Sequence, residues 1–472
     1  MLMLSVLLLV HLQAQQAADS AQPAKPDSTA TPIGPLALPH NAQAFKFTKV
    51  DFELLRQVNA FDKYIEERGW VYSDPGTNEY LEKLGLSLIP GAPENVTWRF
   101  RAIRDLEVNA FALPNGSVYV NSGLLSRMEN EAQLAGVLSH EITHVVHRHT
   151  YLEYRRSRKK MVAINVLLAA ASAAYYPGAA FVVEQAMGDQ LPMIVGDTIF
   201  GYSRELEHEA DAEAVNMLHL HGYDLGEFSR VFDLLQRGPE VELSRQPVFW
   251  SNPSSLAARA RHAIATAGQF QPDARGFIVN RPAYLAAMAG LMRQHAAMAI
   301  LLGRPRTALA IALRLTSENP DDAENYVLLG DAYRSLGART PLPQSDELTN
   351  EAKEEARLRL KKMTIAEYDK ALLADEHGRA RWQANWIRSA KAFHRALEMD
   401  PHNAAAHRGL GYLFESNGAF VDAIAQFKTY LELAPQAKDA RQVRLHVEAL
   451  DSAAKTPASE VPAGPMRGLD EK

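Results

Sequence analysis

Two histidines four positions apart, His140 and His144, with Glu141 beside the first, are the part of this chain best suited to chemistry. On a helix, residues four apart share a face, so both imidazoles can reach one metal ion. Glu141 lies next to that face, where a carboxylate can take a proton from water. The flanking residues predict the helix itself: Leu134, Val137, Leu138, Ile142 and Val145 recur at helical spacing, and Asn130 followed by Gln133 reads as an N-cap with its box partner. The competing reading is an amphipathic helix with two incidental histidines. A catalytic zinc takes three protein ligands and leaves one position open. The chain has no cysteine, which excludes disulfides, a thiol nucleophile and thiolate ligands and leaves His and carboxylates. The best source of a third ligand is the stretch from Tyr202 to Ala212. Helical spacing there puts Glu207 and Asp211 on one face, with Ala210 and Ala214 small enough for two helices to approach. Taken alone, that stretch reads as a solvated acidic helix.

The elements that must position these groups are also legible. Residues 45–70 carry an amphipathic helical pattern, Asp74-Pro75-Gly76 breaks it, and a second helical stretch runs from Glu79 to Leu88. From Val96 to Val120 the pattern turns strand-like: Trp98, Phe100 and Ala102 alternate with Arg99 and Arg101, and Pro114-Asn115-Gly116 marks a turn before Val118-Tyr119-Val120. The strand Asn109, Ala110, Phe111 and Ala112, just ahead of the histidine helix, is placed to pair with an extended peptide. A plain structural hairpin accounts for it equally well.

The combination of Asn109 to Gly116, the HExxH stretch, and Ser203-Arg204 followed by Glu207 and Ala210-Asp211 resembles a family of zinc metallopeptidases. It includes the HtpX-like and CAAX-prenyl proteases and the periplasmic BepA-like proteins. The resemblance covers residues 45–265. It implies one Zn2+ per chain held by His140, His144 and Glu207, with Glu141 as general base and Asp211 as the carboxylate that orients a ligand histidine. His149 falls where relatives carry a histidine and is expected to support the site rather than ligate. One departure stands out. Relatives show a Thr/Ser-His-Pro turn with an arginine about five residues later, whereas this chain has Ser251-Asn252-Pro253, with Arg259 one position further along. Asn252 is a poor zinc ligand but a competent hydrogen-bond donor to a developing oxyanion.

Several further stretches bound the location. Residues 1–18 hold a short apolar run followed by small residues, as in a secretory signal peptide, although no Lys or Arg precedes the run. Residues 19–43, rich in Pro, Ala, Ser and Thr, read as a flexible linker. Residues 161–183 are mostly apolar, yet a single crossing there would separate His140 and His144 from Glu207, and the following stretch is too polar to return. A buried helical hairpin or a membrane-surface contact at 161–183 fits better than a transmembrane span. A net charge of −6 gives no basic excess, so nucleic acid is not an expected partner.

After Tyr284 the periodicity changes. Pro401 and Pro435 stand 34 positions apart, the tetratricopeptide period, with Leu410, Gly411, Phe414, Gly418, Ala423 and Phe427 at the expected offsets between them. Tyr326, Leu329, Gly330, Tyr333 and Gly337 match another unit, and a charged insert near 340–386 interrupts the register. The expected fold is mainly α: a zinc metallopeptidase domain with a small β-sheet over 44–270, then an α-helical tetratricopeptide-repeat solenoid over 285–450, then a disordered tail over 451–472. The expected function is a periplasmic zinc endopeptidase acting on misfolded or assembling polypeptide substrates, its repeats holding substrate or partner. The resemblance adds the outer-membrane protein assembly machinery as a partner. The alternative is a non-proteolytic tetratricopeptide chaperone or adaptor with an idle protease fold.

Overall fold

The computed structural model describes residues 45–89, 96–157, 202–236, 253–270, 277–337 and 376–454. The signal and linker stretches, residues 161–183, Asn252, most of the charged insert and most of the C-terminal tail lie outside them.

Helix α1 (Lys49–Glu67) buries Leu54, Val58, Phe61 and Ile65, the apolar stripe of its sequence. Helix α2 (Pro75–Leu88) begins four residues before the expected Glu79. The Asp74-Pro75 pair, read from sequence as a break, is its start: the Asp74 side chain accepts the Thr77 N–H at 3.0 Å, and Pro75 occupies the first turn, where its missing N–H has no partner to lose. Three strands follow, β1 (Arg99–Ile103), β2 (Ala110–Ala112) and β3 (Ser117–Asn121), in the order β1-β3-β2. Strand β1 is parallel to β3 and β2 antiparallel to it. The β2–β3 turn closes through Leu113 N to Ser117 O at 2.8 Å. Gly116 is required in it, because φ is +99° and a Cβ would stand 2.7 Å from the Thr97 carbonyl oxygen. The outer edge of β1 is capped by side chains of α2: Glu82 accepts the Phe100 N–H at 2.9 Å and Asn78 the Ala102 N–H at 3.1 Å. On the other edge, β2 has no further strand among the described residues.

After the short α3 (Ser122–Leu125) comes α4 (Glu131–Val146), which carries the paired histidines. Asn130 caps it by accepting the Gln133 N–H at 3.0 Å, and Gln133 reaches back to the Glu129 N–H at 2.7 Å, one residue earlier than a standard box. Every residue of α4 is buried, so the helix presents no solvent-facing polar side. Gly136 lets α6 come close, since a Cβ there would lie 2.5 Å from the ring of Phe228. The remaining helices of this unit are α5 (Arg204–Leu220), α6 (Leu225–Gln236) and α7 (Pro253–Ala267), with α8 (Arg281–Leu301) at its end.

The chain divides into two units at His295/Ala296, inside α8 rather than ahead of it. The sequence pattern changes near Tyr284, but the helix that begins there serves the first unit: Tyr284 donates to the Leu125 carbonyl at 2.5 Å, Thr77 to the Ala287 carbonyl at 3.1 Å, and His295 meets Ser122 Oγ at 2.9 Å. The second unit is helical throughout its described residues: α9 (Pro305–Glu318), α10 (Ala323–Leu336), α11 (Glu376–Met399), α12 (Ala404–Ser416), α13 (Phe420–Leu433) and α14 (Ala440–Ala454). Phe393 of α11 fills the space left by Gly330 of α10 and Gly409 of α12, where added Cβ atoms would stand 2.6 and 2.3 Å from its ring. Gly411 plays the same part against Phe427 of α13. The last helix continues to Ala454, beyond the expected end of the repeats at residue 450.

Candidate metal centre

Helix α4 turns His140 and His144 to the same side, with Nε2 atoms 3.0 Å apart. Glu207 of α5 faces both, its carboxylate oxygens 3.6 Å from His140 Nε2 and 3.8 Å from His144 Nε2. A zinc ion with N and O ligands at about 2.0–2.2 Å holds neighbouring ligand atoms roughly 3.3 Å apart in tetrahedral geometry. The spacing found here, in three buried residues, fits such an ion.

What lies behind the imidazoles decides which nitrogen points inward. Asp211, one turn beyond Glu207, stands with Oδ1 3.1 Å from His140 Nδ1. Burial raises its pKa, but Arg259 outweighs burial and brings the carboxyl down to about 2. An ionised Asp211 keeps the hydrogen of His140 on Nδ1 and leaves Nε2 open to a metal. His144 Nδ1 meets His149 Nδ1 at 2.9 Å, and the ring of Tyr202 stacks on His144 with centroids 3.8 Å apart. Tyr202 is in turn held by Thr150, 2.8 Å from its hydroxyl. Burial, then the neighbouring His140 and His149, push the His144 pKa well down, so it is neutral, as a ligand must be.

Arg259 of α7 is the group that sequence reading placed only as an offset from a motif. It is 4% exposed and forks onto Asp211 through Nε at 2.8 Å and an Nη at 2.7 Å. Its other Nη stands 2.6 Å from Glu207, an ion pair without the alignment of a hydrogen bond. The guanidinium also lies over Phe232, 5.2 Å from its centroid. Burial opposes its charge, yet Glu207 and Asp211 together hold its pKa above the ordinary value. The signal available in the sequence was an arginine shortly after Pro253; its two carboxylate partners could be known only from the packing of α7 on α5.

Glu141 is fully buried, and neither carboxylate oxygen makes a well-aligned hydrogen bond, the Ala112 backbone being the one donor near it. Burial and then the charge of Glu207 raise its pKa well above normal, against Arg259 and the Ala112 backbone. Burial likewise raises Glu207, against Arg259 and His140. A divalent cation between these carboxylates and the two histidines would answer that unmet demand for positive charge. Asn109, Ala110, Phe111 and Ala112 are all buried beside this site. The antiparallel register turns alternate residues Ala110 and Ala112 away from β3, and Ala112 toward Glu141. Asn252 lies outside the described residues.

The profile of peptidase family M48 matches residues 75–301, and a tetratricopeptide-repeat profile matches residues 367–438. The beta-barrel assembly-enhancing protease of Escherichia coli (strain K12) is 31% identical over 157 residues, 32% of this chain and 31% of that protein. Metalloprotease YcaL of the same organism is 31% identical over 176 residues, 37% of this chain and 62% of that protein. Mitochondrial metalloendopeptidase OMA1 of Schizosaccharomyces pombe is 33% identical over 135 residues, 28% and 40%. The chain thus spans about a third of the length of the first of these relatives. With the HExxH helix, the facing glutamate and the helical repeats in place, residues 75–301 carry the sequence pattern of peptidase family M48, and a tetratricopeptide-repeat pattern follows it in the same chain.

Proposed function

We propose that this chain is a zinc endopeptidase of the cell envelope that hydrolyses peptide bonds in misfolded or assembling proteins. The observation that carries the reading is Glu141: a fully buried carboxyl with no well-aligned hydrogen bond to either oxygen, beside two imidazoles that open Nε2 toward the same point. Such a group costs stability of order 1–3 kcal/mol or more wherever it serves only as structure. As a general base it is in place. An idle protease fold serving as an adaptor has no use for it.

In this reading His140, His144 and Glu207 hold the ion. Zinc there would supply a Lewis acid for the scissile carbonyl and acidify water. Glu141 takes the proton of the attacking water and returns it to the leaving amine. Asp211 and Arg259 fix His140 and Glu207, so that neither ligand swings as charge develops. The outward N–H and C=O groups of Ala110 and Ala112 offer a substrate one edge for strand pairing. That edge is buried in the present conformation, so a substrate strand must replace what covers it. Asn252 donates a hydrogen bond to the oxyanion, in place of the histidine its relatives carry.

The repeats hold clients rather than cut them, since repeat arrays bind polypeptide and every group named above precedes Ala296. The relatives named for beta-barrel assembly, together with the apolar start of the chain, support a periplasmic site and clients bound for the outer membrane. No helix among the described residues is long and apolar enough to cross a membrane. Elemental analysis of the purified protein, paired with digestion of casein, tests the proposal. About one zinc per chain, lost in Glu207→Gln, and chelator-sensitive cleavage are expected. Full zinc in Glu207→Gln would remove that ligand, and casein left intact by a zinc-loaded protein would favour the adaptor.

A further inference from the structure

Immediately beyond α4 lies a second cluster that the peptidase reaction does not use. His147 and His149 flank Arg148, whose backbone is left-handed at φ 59°, a conformation that non-glycine residues adopt at a cost. That one residue turns both imidazoles toward Glu209 of α5. His147 Nδ1 stands 2.7 Å from Glu209 Oε1, and His149 Nε2 stands 3.6 Å from Glu209 Oε2. The Arg148 side chain is held over Phe45 and Phe47, 4.9 and 4.7 Å from their centroids, which offsets part of the backbone strain.

A hydrogen bond between His147 and Glu209 explains half of this arrangement. It does not explain His149. That ring is 1% exposed, and its Nε2 has no hydrogen-bond partner, the nearest acceptor being out of reach at 3.6 Å. One ligand atom from each of the three residues falls within 4.8 Å of the other two, and Glu209 is exposed, so an ion and its waters can enter from solvent. Two imidazoles and a carboxylate at this spacing are the donor set of a borderline divalent cation.

We propose that His147, His149 and Glu209 form a second divalent-cation site of zinc type, which ties the end of α4 to α5 outside the catalytic centre. The two sites are not independent. His144 and His149 meet Nδ1 to Nδ1 at 2.9 Å, a gap that holds one hydrogen. The inner site needs that hydrogen on His144, so that its Nε2 is open. The outer site needs it on His149 for the same reason. The outer ion therefore binds more weakly than the inner one, and is seen only at higher free zinc.

The test is zinc binding by the whole chain, read as metal per chain across rising free Zn2+, with thermal melting followed in parallel. The parent should show a weaker binding step that adds one zinc and raises the melting temperature. His147→Ala and Glu209→Gln, neither of which touches the catalytic groups, should each lose that step while their metal content at low zinc matches the parent. The result is a difference of one zinc between parent and variant, so it stands whatever the occupancy of the inner site. A parent with no second step overturns the proposal. So does a second step of unchanged affinity in both variants, provided their melting shows them folded.

Discussion

Helix α4 buries His140, Glu141 and His144 among carboxylates and a guanidinium, whereas α10 to α12 bury Phe393 against the bare backbones of Gly330 and Gly409. In the first region nearly every buried polar group answers to another: Asp211 to His140 and Arg259, His149 to His144, Tyr202 to Thr150. In the second, close packing of large against absent side chains carries the interface, with Ser389 donating to the Gly330 carbonyl at 2.8 Å beside it. The polar region leaves both oxygens of Glu141 unanswered, with single atoms of Ser139 and His149 near it, whereas the described residues of α10 to α12 bury no carboxyl. The difference separates a region shaped for a reaction from one shaped to hold its form, and mutations should divide along it.

The largest effect should come from the unanswered group. Glu141→Gln removes the proton acceptor while keeping size and shape, so cleavage of an unstructured polypeptide should fall by about 10²–10⁴-fold. Zinc content and fold should survive, because Glu141 is not among the three proposed ligands. A variant within about tenfold of the parent rate would mean that Glu141 is not the base and that its isolation has another cause.

Phe393→Ala tests the other region. It empties the space between Gly330 and Gly409, and about 3–5 kcal/mol should be lost from the second unit's unfolding free energy. Metal content of the first unit should not change. Denaturant unfolding followed by far-ultraviolet circular dichroism, with elemental analysis of the same samples, reads both. If metal is lost together with repeat stability, the division between the regions fails.

A smaller effect is expected behind the ligands. Asp211→Asn weakens the hold on His140 Nδ1 and leaves Arg259 with Glu207 alone, so zinc affinity measured against a competing chelator should drop about 10–100-fold. An unchanged affinity would show that Arg259 and the packing of α5 suffice to orient the ring.

Much of both regions was legible in the chain. Spacing alone gave the α4 stripe, the Asn130 cap and the β2–β3 turn, since these rest on neighbours within four residues. The glycines at 330 and 411 marked the repeats for the same reason. What spacing could not supply was contact across long separations. Arg259 meets Asp211 from 48 positions away, and His140 from 119. The start of α2 was misread because a Pro after an Asp signals a break and a capped first turn alike. The change of pattern at Tyr284 was likewise real, but it marks a helix whose first part docks on α3, so a truncation meant to isolate the peptidase should end after Leu301 rather than at Tyr284.

The smallest effect is a pH dependence in which the carboxyls of the polar region pull in opposite directions. Asp211 is held down to about 2 by Arg259, against a value of 3.8 when free. A depressed carboxyl contributes stability that is present above its unfolded pKa and lost as pH falls through its folded one. The metal-free protein should therefore shed about 2–3 kcal/mol between roughly pH 4 and 2, as these two values imply. Glu141 and Glu207 are raised instead, chiefly by burial. Their contribution is present below the unfolded value and lost as pH rises through the folded one, so the empty site is strained toward neutral pH. Denaturant midpoints of metal-free parent, Asp211→Asn and Glu141→Gln, taken from pH 2 to 8, separate the two limbs. The gap between parent and Asp211→Asn should close on acidification, and Glu141→Gln should gain on the parent as pH rises. Parallel curves for all three would show that the buried carboxyls titrate as they do in the unfolded chain. The contrast between a charged centre and an apolar repeat core would then lose its electrostatic half.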